Sequence, residues 1–426
     1  MSLATLEPTP ALAATVTDAP RAKTQSERAL DALTFFLADV ADGLGPFLAI
    51  YVTSTRGWTS GEAGMAMAAM LLGTILSQTF VGAWIDRLRA KRMAIVGAAV
   101  LVATCCVVMY YLPLRSVIFG SQFLAGVAVT VFPPAIAAIS LGLVGRRRLA
   151  TRVGRNEGFN HGGNVCAAAL AAGLSYAFGS GGVFYGVAAM ALASAIATTF
   201  IREEDIDHNL ARGADAEDGE TEVVSLSQLF SDSRIWWFTT AVVLFHFANA
   251  AMLPLVGQKV SVNYKETAAI WMAACIIVAQ FVMVPVAIFA GNHIDTWGRR
   301  AIFLIGFSVL PIRGLLYTLT DNPALLIANQ ILDGIGAGIF GVAAVVMVAD
   351  LTRGTGRFNF LQGLIATAVG LGAAASNLLT GFLVDAFGFN AGFIFLSAIA
   401  LVSLAVFFLR VMDTRESGLL NADRPA

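Results

Sequence analysis

Charge is what this chain has least of. Of its 426 residues, 13% are Asp, Glu, Lys or Arg, against about 25% in a soluble globular domain. The net charge is −1, which leaves no basic field to gather nucleic acid. A phosphate-cradling Gly-x-x-x-x-Gly-Lys loop is missing, so ATP is not the expected energy source. Metal-ligand spacing such as His-Glu-x-x-His is missing too, and no enzyme signature stands. The four cysteines, Cys105, Cys106, Cys166 and Cys275, fall in apolar runs without zinc spacing and read as small packing residues. Residues 1–27 lack the apolar stretch of a signal peptide and read as a disordered cytoplasmic tail.

What is present is apolar. Hydrophobic residues make up 57% and mean hydropathy is +0.75. The 41 glycines suit closely packed membrane helices. A helix crossing the hydrocarbon core needs roughly 20 apolar residues. Uncharged runs of that order are 63–85, 93–114, 116–145, 235–258, 267–294, 358–384 and 386–409. The 44 uncharged residues at 158–201 make two spans that turn at Gly179-Ser-Gly-Gly182. Three further spans carry charge: about 29–53 (Asp31, Asp39, Asp42), 301–320 (Arg313) and 323–350 (Asp333). The total is twelve. With both termini in the cytoplasm, 22 Lys and Arg fall inside and four outside, with Arg313 in a span. That asymmetry is the positive-inside pattern.

One stretch breaks the apolar rhythm twice. Gly82-Ala-Trp-Ile-Asp86-Arg87 leads into Lys91-Arg92, and Gly291-Asn-His-Ile-Asp295 leads into Gly298-Arg299-Arg300. The two glycines are 209 residues apart, as are the two aspartates. Pro46 matches Pro254, and Gln122-Phe-Leu-Ala-Gly126 matches Gln330-Ile-Leu-Asp-Gly334, both at 208; Gly154-Arg155 matches Gly356-Arg357 at 202. The chain therefore reads as related halves at 28–201 and 234–412. An acidic, solvated cytoplasmic linker at 202–233 joins them, and 413–426 is a cytoplasmic tail. Parallel repeats of six spans occur in one transporter architecture.

These motifs, between spans 2 and 3 and between spans 8 and 9, resemble the signature loop of the major facilitator superfamily. Two departures stand out: Leu88-Arg89-Ala90 follows Arg87, and Thr296 follows Asp295 where that family carries arginine. The resemblance implies an all-α membrane protein of twelve transmembrane helices in two pseudo-symmetric six-helix bundles. It also implies that Gly82, Asp86, Arg87, Lys91, Arg92, Gly291, Asp295, Gly298, Arg299 and Arg300 form a cytoplasmic gate. Asp86 can pair with Arg87 or Arg92, or face the positive N-terminus of span 11. The second copy is expected to be the weaker latch.

Ionisable groups inside a membrane mark function by default. Asp39 and Asp42 are three residues apart, hence on one face of span 1, and repel unless one holds a proton. With Asp333 they are the proton-coupling candidates. Arg313 and Asp333 lie in adjacent spans, as a structural ion pair or as cavity ligands. Glu157, His161 and Asn164 share one face of span 5, with Asn160 beside them. Glu157 is expected near the cytoplasmic mouth and His161 a turn deeper. Gln78, Gln122, His246, Asn249, Gln280, Asn329 and Gln330 complete the substrate-cavity candidates. The expected protein is a secondary active transporter working by alternating access, in proton-coupled export of a small organic molecule. A proton-coupled metabolite importer is the alternative, and a non-transporting membrane sensor or scaffold a remote one. No cofactor or metal is expected, and a proton gradient is the driving force. The expected partners are a small-molecule substrate, protons and the bilayer of the plasma (inner) membrane, with a monomeric multi-pass chain.

Overall fold

Inside hydrocarbon a backbone must satisfy its own hydrogen bonds, so each long apolar run folds as a helix. The computed structural model describes residues 25–42, 48, 51–52, 55–58, 60–179, 181–213, 223–263 and 268–414. Span 1 begins with Gln25–Asp42, span 2 is Ser60–Arg87 and span 3 Lys91–Tyr111. Span 4 is Arg115–Val129 continued into the helix Phe132–Phe178. That helix breaks at Gly145, whose φ of 71° suits glycine, and residues 146–178 form span 5. Span 6 is Gly182–Thr199. Span 7 joins Ser233–Ala250 to Met252–Asn263, and span 8 is Ala268–Trp297. Span 9 is Arg299–Leu316, and span 10 joins Pro323–Ala328 to Gln330–Leu351. Span 11 is Phe358–Phe387 and span 12 Phe389–Arg410, parted at Gly388 with φ 81°.

Nine helical stretches among the described residues are long and apolar enough to cross a membrane. One of them, Arg115–Ser175, is 61 residues long and holds spans 4 and 5. Spans 1 and 9 carry more charge, which completes the twelve. Buried side chains form two clusters, one in spans 1–6 and the other centred on spans 7–12 and joined by Ala137, Leu141, Leu149, Ala150 and Val153 of spans 4 and 5. The first is built on small and aliphatic residues such as Leu33, Ala99, Val102 and Val187. The second is rich in phenylalanine: Phe303, Phe307 and Phe407 are in mutual ring contact, and Phe245 packs on Phe307.

The link between halves is better ordered than its acidity suggests. Its described ends, 202–213 and 223–232, carry short helices at Glu203–Asp205, His208–Ala211 and Leu226–Phe230. Ile206, Ala211 and Leu229 are buried. The Asp207 N–H donates to the Gly142 carbonyl, while the Phe358 and Gly354 N–H groups donate to the carbonyls of Arg212 and Gly213. This corrects the solvated linker at both described ends: backbone groups bond to both bundles. Asp215, Glu217, Asp218, Glu220 and Glu222 lie outside the described residues. The expected tail at 1–27 is also too long, because Ser26 and Glu27 are buried in span 1. Ser26 Oγ donates to Asp205 at 2.5 Å, and Thr414 Oγ1 to Asp350 at 2.7 Å. Both described ends of the chain therefore sit on the face that carries the two motif loops, the motif face.

Candidate functional site

Two helix crossings hold the bundles together, and both are built on glycine. In the first, span 2 meets span 11. A Cβ on Gly82 would strike the Asn359 carbonyl, and one on Gly363 the Gln78 carbonyl. Thr79 and Thr367 share a hydrogen bond at 2.7 Å. Towards the motif face, Asp86 Oδ1 accepts the Asn359 N–H at 3.0 Å and its Nδ2 at 2.8 Å, while Oδ2 accepts the Phe360 N–H at 2.7 Å. The start of a helix leaves such donors unsatisfied, and its dipole favours an anion there. Of the partners expected for Asp86, the N-terminus of span 11 is the one found. Arg87 is exposed. Arg92 turns to Glu203 at 2.5 Å and to the Ile201 carbonyl. Lys91 is buried and donates to the Leu88 carbonyl at 2.5 Å.

In the second crossing, span 5 meets span 8. A Cβ on Gly154 would lie 2.8 Å from Gly291 Cα, and one on Gly291 2.9 Å from Gly154 Cα. Here Asp295 pairs with Arg299 at 2.7 Å, and Arg299 also reaches Asp350 at 2.9 Å. Span 5 runs back to 146 as unbroken helix, so no helix start lies at this level. The spatial counterpart of Gly154 is Gly363, at the same offset of 209 that relates Gly82 to Gly291. That replaces the sequence pairing with Gly356.

Behind the second crossing lies a polar group of the interior. Glu157 is twelve residues beyond Gly145, roughly 18 Å along the helix at 1.5 Å per residue. Its carboxylate lies against Gly341 of span 10, where a Cβ would come within 3.1 Å of Oε2. His161 Nε2 is 3.8 Å from that same oxygen, and His161 Nδ1 is 2.7 Å from Gln280 Oε1 of span 8. Glu157 therefore sits behind the closed crossing and not at its mouth, which corrects its expected position. Among the described residues, interbundle hydrogen bonds and close approaches run from the motif face down to His161–Gln280 and to Gly370 beside Ile75. The motif face is closed.

Each bundle also has an internal charge cluster. Arg152 is buried and donates to Asp31 at 2.5 Å and to Asn156 at 2.8 Å, while Arg155 grips Asp31 through two nitrogens. Asn156 donates to Ser140 at 2.8 Å. In the other bundle Arg313 is 1% exposed and donates to Asp333 at 2.5 Å, Asn249 at 2.6 Å and Tyr317 at 2.9 Å. Asn329 donates to the Arg313 carbonyl and Gln330 to Tyr317. Sequence reasoning found Arg313–Asp333 but missed Arg152, Asn156, Ser140 and Tyr317.

The cavity candidates fall into two groups. Gln78, Asn160, His161, Asn164, His246, Asn249, Gln280 and Asp333 are half-buried. Gln122, Arg313, Asn329 and Gln330 are buried inside a bundle, which corrects their placement on a cavity wall. Asp39 and Asp42 belong to the helix of span 1, but their side chains lie outside the described residues.

Comparison with known proteins now settles the family. The profile of the Major Facilitator Superfamily matches residues 31–291 and 261–425. An uncharacterised MFS-type transporter of Mycobacterium tuberculosis is 45% identical over 403 residues, covering 93% of this chain and 96% of that one. The chain belongs to the major facilitator superfamily. It is an integral membrane transporter and not an enzyme. Among solved structures, the E. coli fucose:proton symporter FucP superposes with a TM-score of 0.71 at 14% identity, over 91% of this chain and 98% of that one. Multidrug resistance protein 2 of Bacillus subtilis is 27% identical over 145 residues, which is 33% of this chain and 34% of that protein. The superfamily fold accounts for the two bundles and for the repeat at 209.

Proposed function

We propose that this transporter exports a small organic molecule in exchange for protons, working by alternating access with its motif face in the cytoplasm. The observation that carries the proposal is Glu157. Its carboxyl is held behind a closed crossing with the imidazole of His161 one helical turn away, and that imidazole touches the opposite bundle through Gln280. A carboxyl and an imidazole so placed can exchange a proton. Parting the crossing breaks the Gln280 contact, so proton exchange and bundle movement involve the same side chains. Asp39 and Asp42 of span 1 join Glu157 as proton carriers in this proposal. Asp333 has the weaker claim, since its charge is committed to Arg313. Export of an organic molecule is favoured by the likeness to the Bacillus multidrug resistance protein. A cytoplasmic motif face is favoured by the surplus of Lys and Arg there.

The test uses proteoliposomes with an imposed pH gradient and ethidium, a fluorescent organic cation, as probe. The unaltered protein should move ethidium against its gradient at the expense of the proton gradient. Glu157→Gln, Asp39→Asn and Asp42→Asn should each lose gradient-driven movement. Full gradient-driven movement in all three variants would overturn proton coupling.

A further inference from the structure

The repeat places an arginine at the same point of both bundles: Arg92 at the start of span 3, and Arg300, 208 residues later, at the start of span 9. Each reaches a backbone carbonyl at the end of the last span of its own bundle, Ile201 for Arg92 and Phe408 for Arg300. Their Nε atoms differ. Arg92 Nε donates to the carboxylate of Glu203 at 2.5 Å, supplied by the link that follows span 6. Arg300 Nε is buried and has no hydrogen-bond partner among the described residues. A buried donor left without an acceptor destabilises the fold and favours any ligand that supplies one.

Where the first bundle has Glu203 beside Arg92, the second has open space beside Arg300. A cavity of about 580 Å³ lies between the motif-face ends of spans 7, 9, 10 and 12. Arg234 and Arg300 line it with Phe238, Leu304, Met347 and Phe408. Arg410 stands nearby over the Trp237 ring. Two acids temper this basic ring. Asp232 is paired with Arg234 at 2.6 Å, and Asp413, which lines the cavity, accepts the Arg300 backbone N–H at 3.3 Å.

We propose that this cavity binds a phosphate-bearing amphiphile, with its anionic group at Arg300 in the place that Glu203 takes beside Arg92. The chemistry of the walls specifies the two ends of the ligand. A phosphate oxygen satisfies the Arg300 Nε donor with a charge-assisted bond. The phenylalanine, leucine and methionine side chains take the apolar end. Basic pockets between helix ends at the membrane boundary hold anionic lipid headgroups on this principle, and this cavity lies between the helix ends of spans 7, 9, 10 and 12. An anionic phospholipid of the surrounding leaflet is the source that fits both ends, while free inorganic phosphate fits one.

The experiment is thermal unfolding of the delipidated full-length protein in detergent, with phosphatidylglycerol, phosphatidylcholine or inorganic phosphate added in turn. A ligand that binds only the folded state raises the melting temperature. Phosphatidylglycerol should raise it by several degrees more than phosphatidylcholine. Arg300→Gln should abolish that difference, and Arg92→Gln should keep it. Ala301→Trp, which fills the cavity and keeps both arginines, guards against a folding defect in the first variant and should also abolish the difference. A shift with inorganic phosphate as large as with phosphatidylglycerol, and lost in Arg300→Gln, supports the anion site and assigns it to the free ion. An equal lipid response in the unaltered protein and both cavity variants overturns the proposal. So does a response that appears only after removal of residues 415–426, since the chain's own tail would then be the occupant.

Discussion

The two crossings come from one repeat and share one steric rule, yet they close by different chemistry. Between spans 2 and 11, glycine packing ends in Asp86 on the unsatisfied N–H groups of Asn359 and Phe360. Between spans 5 and 8, the same packing of Gly154 on Gly291 ends beside the Asp295–Arg299 ion pair. The second crossing has instead a deep polar contact, His161 to Gln280, with Glu157 behind it. One crossing thus carries the latch and the other the titratable pair. A duplicated scaffold carries different chemistry at equivalent seams, and the difference follows from where each partner helix begins.

The shared steric rule predicts the largest effect. Gly82→Leu and Gly154→Leu each push a side chain into backbone, which cannot yield as a side-chain tip can. Both should reduce transport to background and leave the motif face open to a membrane-impermeant thiol reagent at an introduced cysteine. A seam that tolerates leucine would break the equivalence of the two crossings.

The latch comes next. Asp86→Asn removes a carboxylate that accepts three hydrogen bonds, and bonds to a charged group are worth about 1.5–3 kcal/mol each. The motif-face-closed state should weaken by roughly 2–3 kcal/mol, read as faster labelling at the same introduced cysteine. Asp295→Asn loosens a partly buried helical ion pair with Arg299 and should change labelling by less, about 1 kcal/mol or under. Equal effects at the two aspartates would contradict the lopsided latch.

The smallest effect concerns the link. Burial and the nearby Lys91 charge hold the His208 imidazole below its ordinary 6.5, against the pull of Glu203 at 3.0 Å. The folded state therefore binds this proton less readily than the unfolded state. The contribution is fully present above about pH 6.5 and is lost as pH falls through the lowered folded value. Melting curves should lose a little stability over that window, and His208→Gln should lose less.

Much of the fold was legible because its causes are local or repeated. Apolar length gave the spans, and the 209-residue offset gave the halves. What was hidden depended on partners far along the chain. Arg152 and Arg155 read as loop charges next to Arg146–Arg148, which starts span 5 later and puts Glu157 at its mouth. They are helix residues neutralised by Asp31, over 120 residues away. Gln122, Asn329 and Gln330 read as cavity groups because polarity in a span suggests exposure to solute. Asn329 and Gln330 bond inside the bundle, and Gln122 is simply buried there. The acids of the link suggested solvation, yet Glu203 and Asp205 pair with Arg92 and Ser26. Asp86 was better placed from sequence, since the motif and the start of span 11 can both be read directly.

The central claim is that the crossing between spans 5 and 8 couples protons to movement. Its most direct test loads proteoliposomes with a pH-sensitive dye and imposes an ethidium gradient alone. The unaltered protein should drive protons opposite to ethidium and change the dye signal. Glu157→Gln should abolish that signal while still exchanging labelled for unlabelled ethidium across the membrane. An undiminished proton signal in Glu157→Gln would contradict the account.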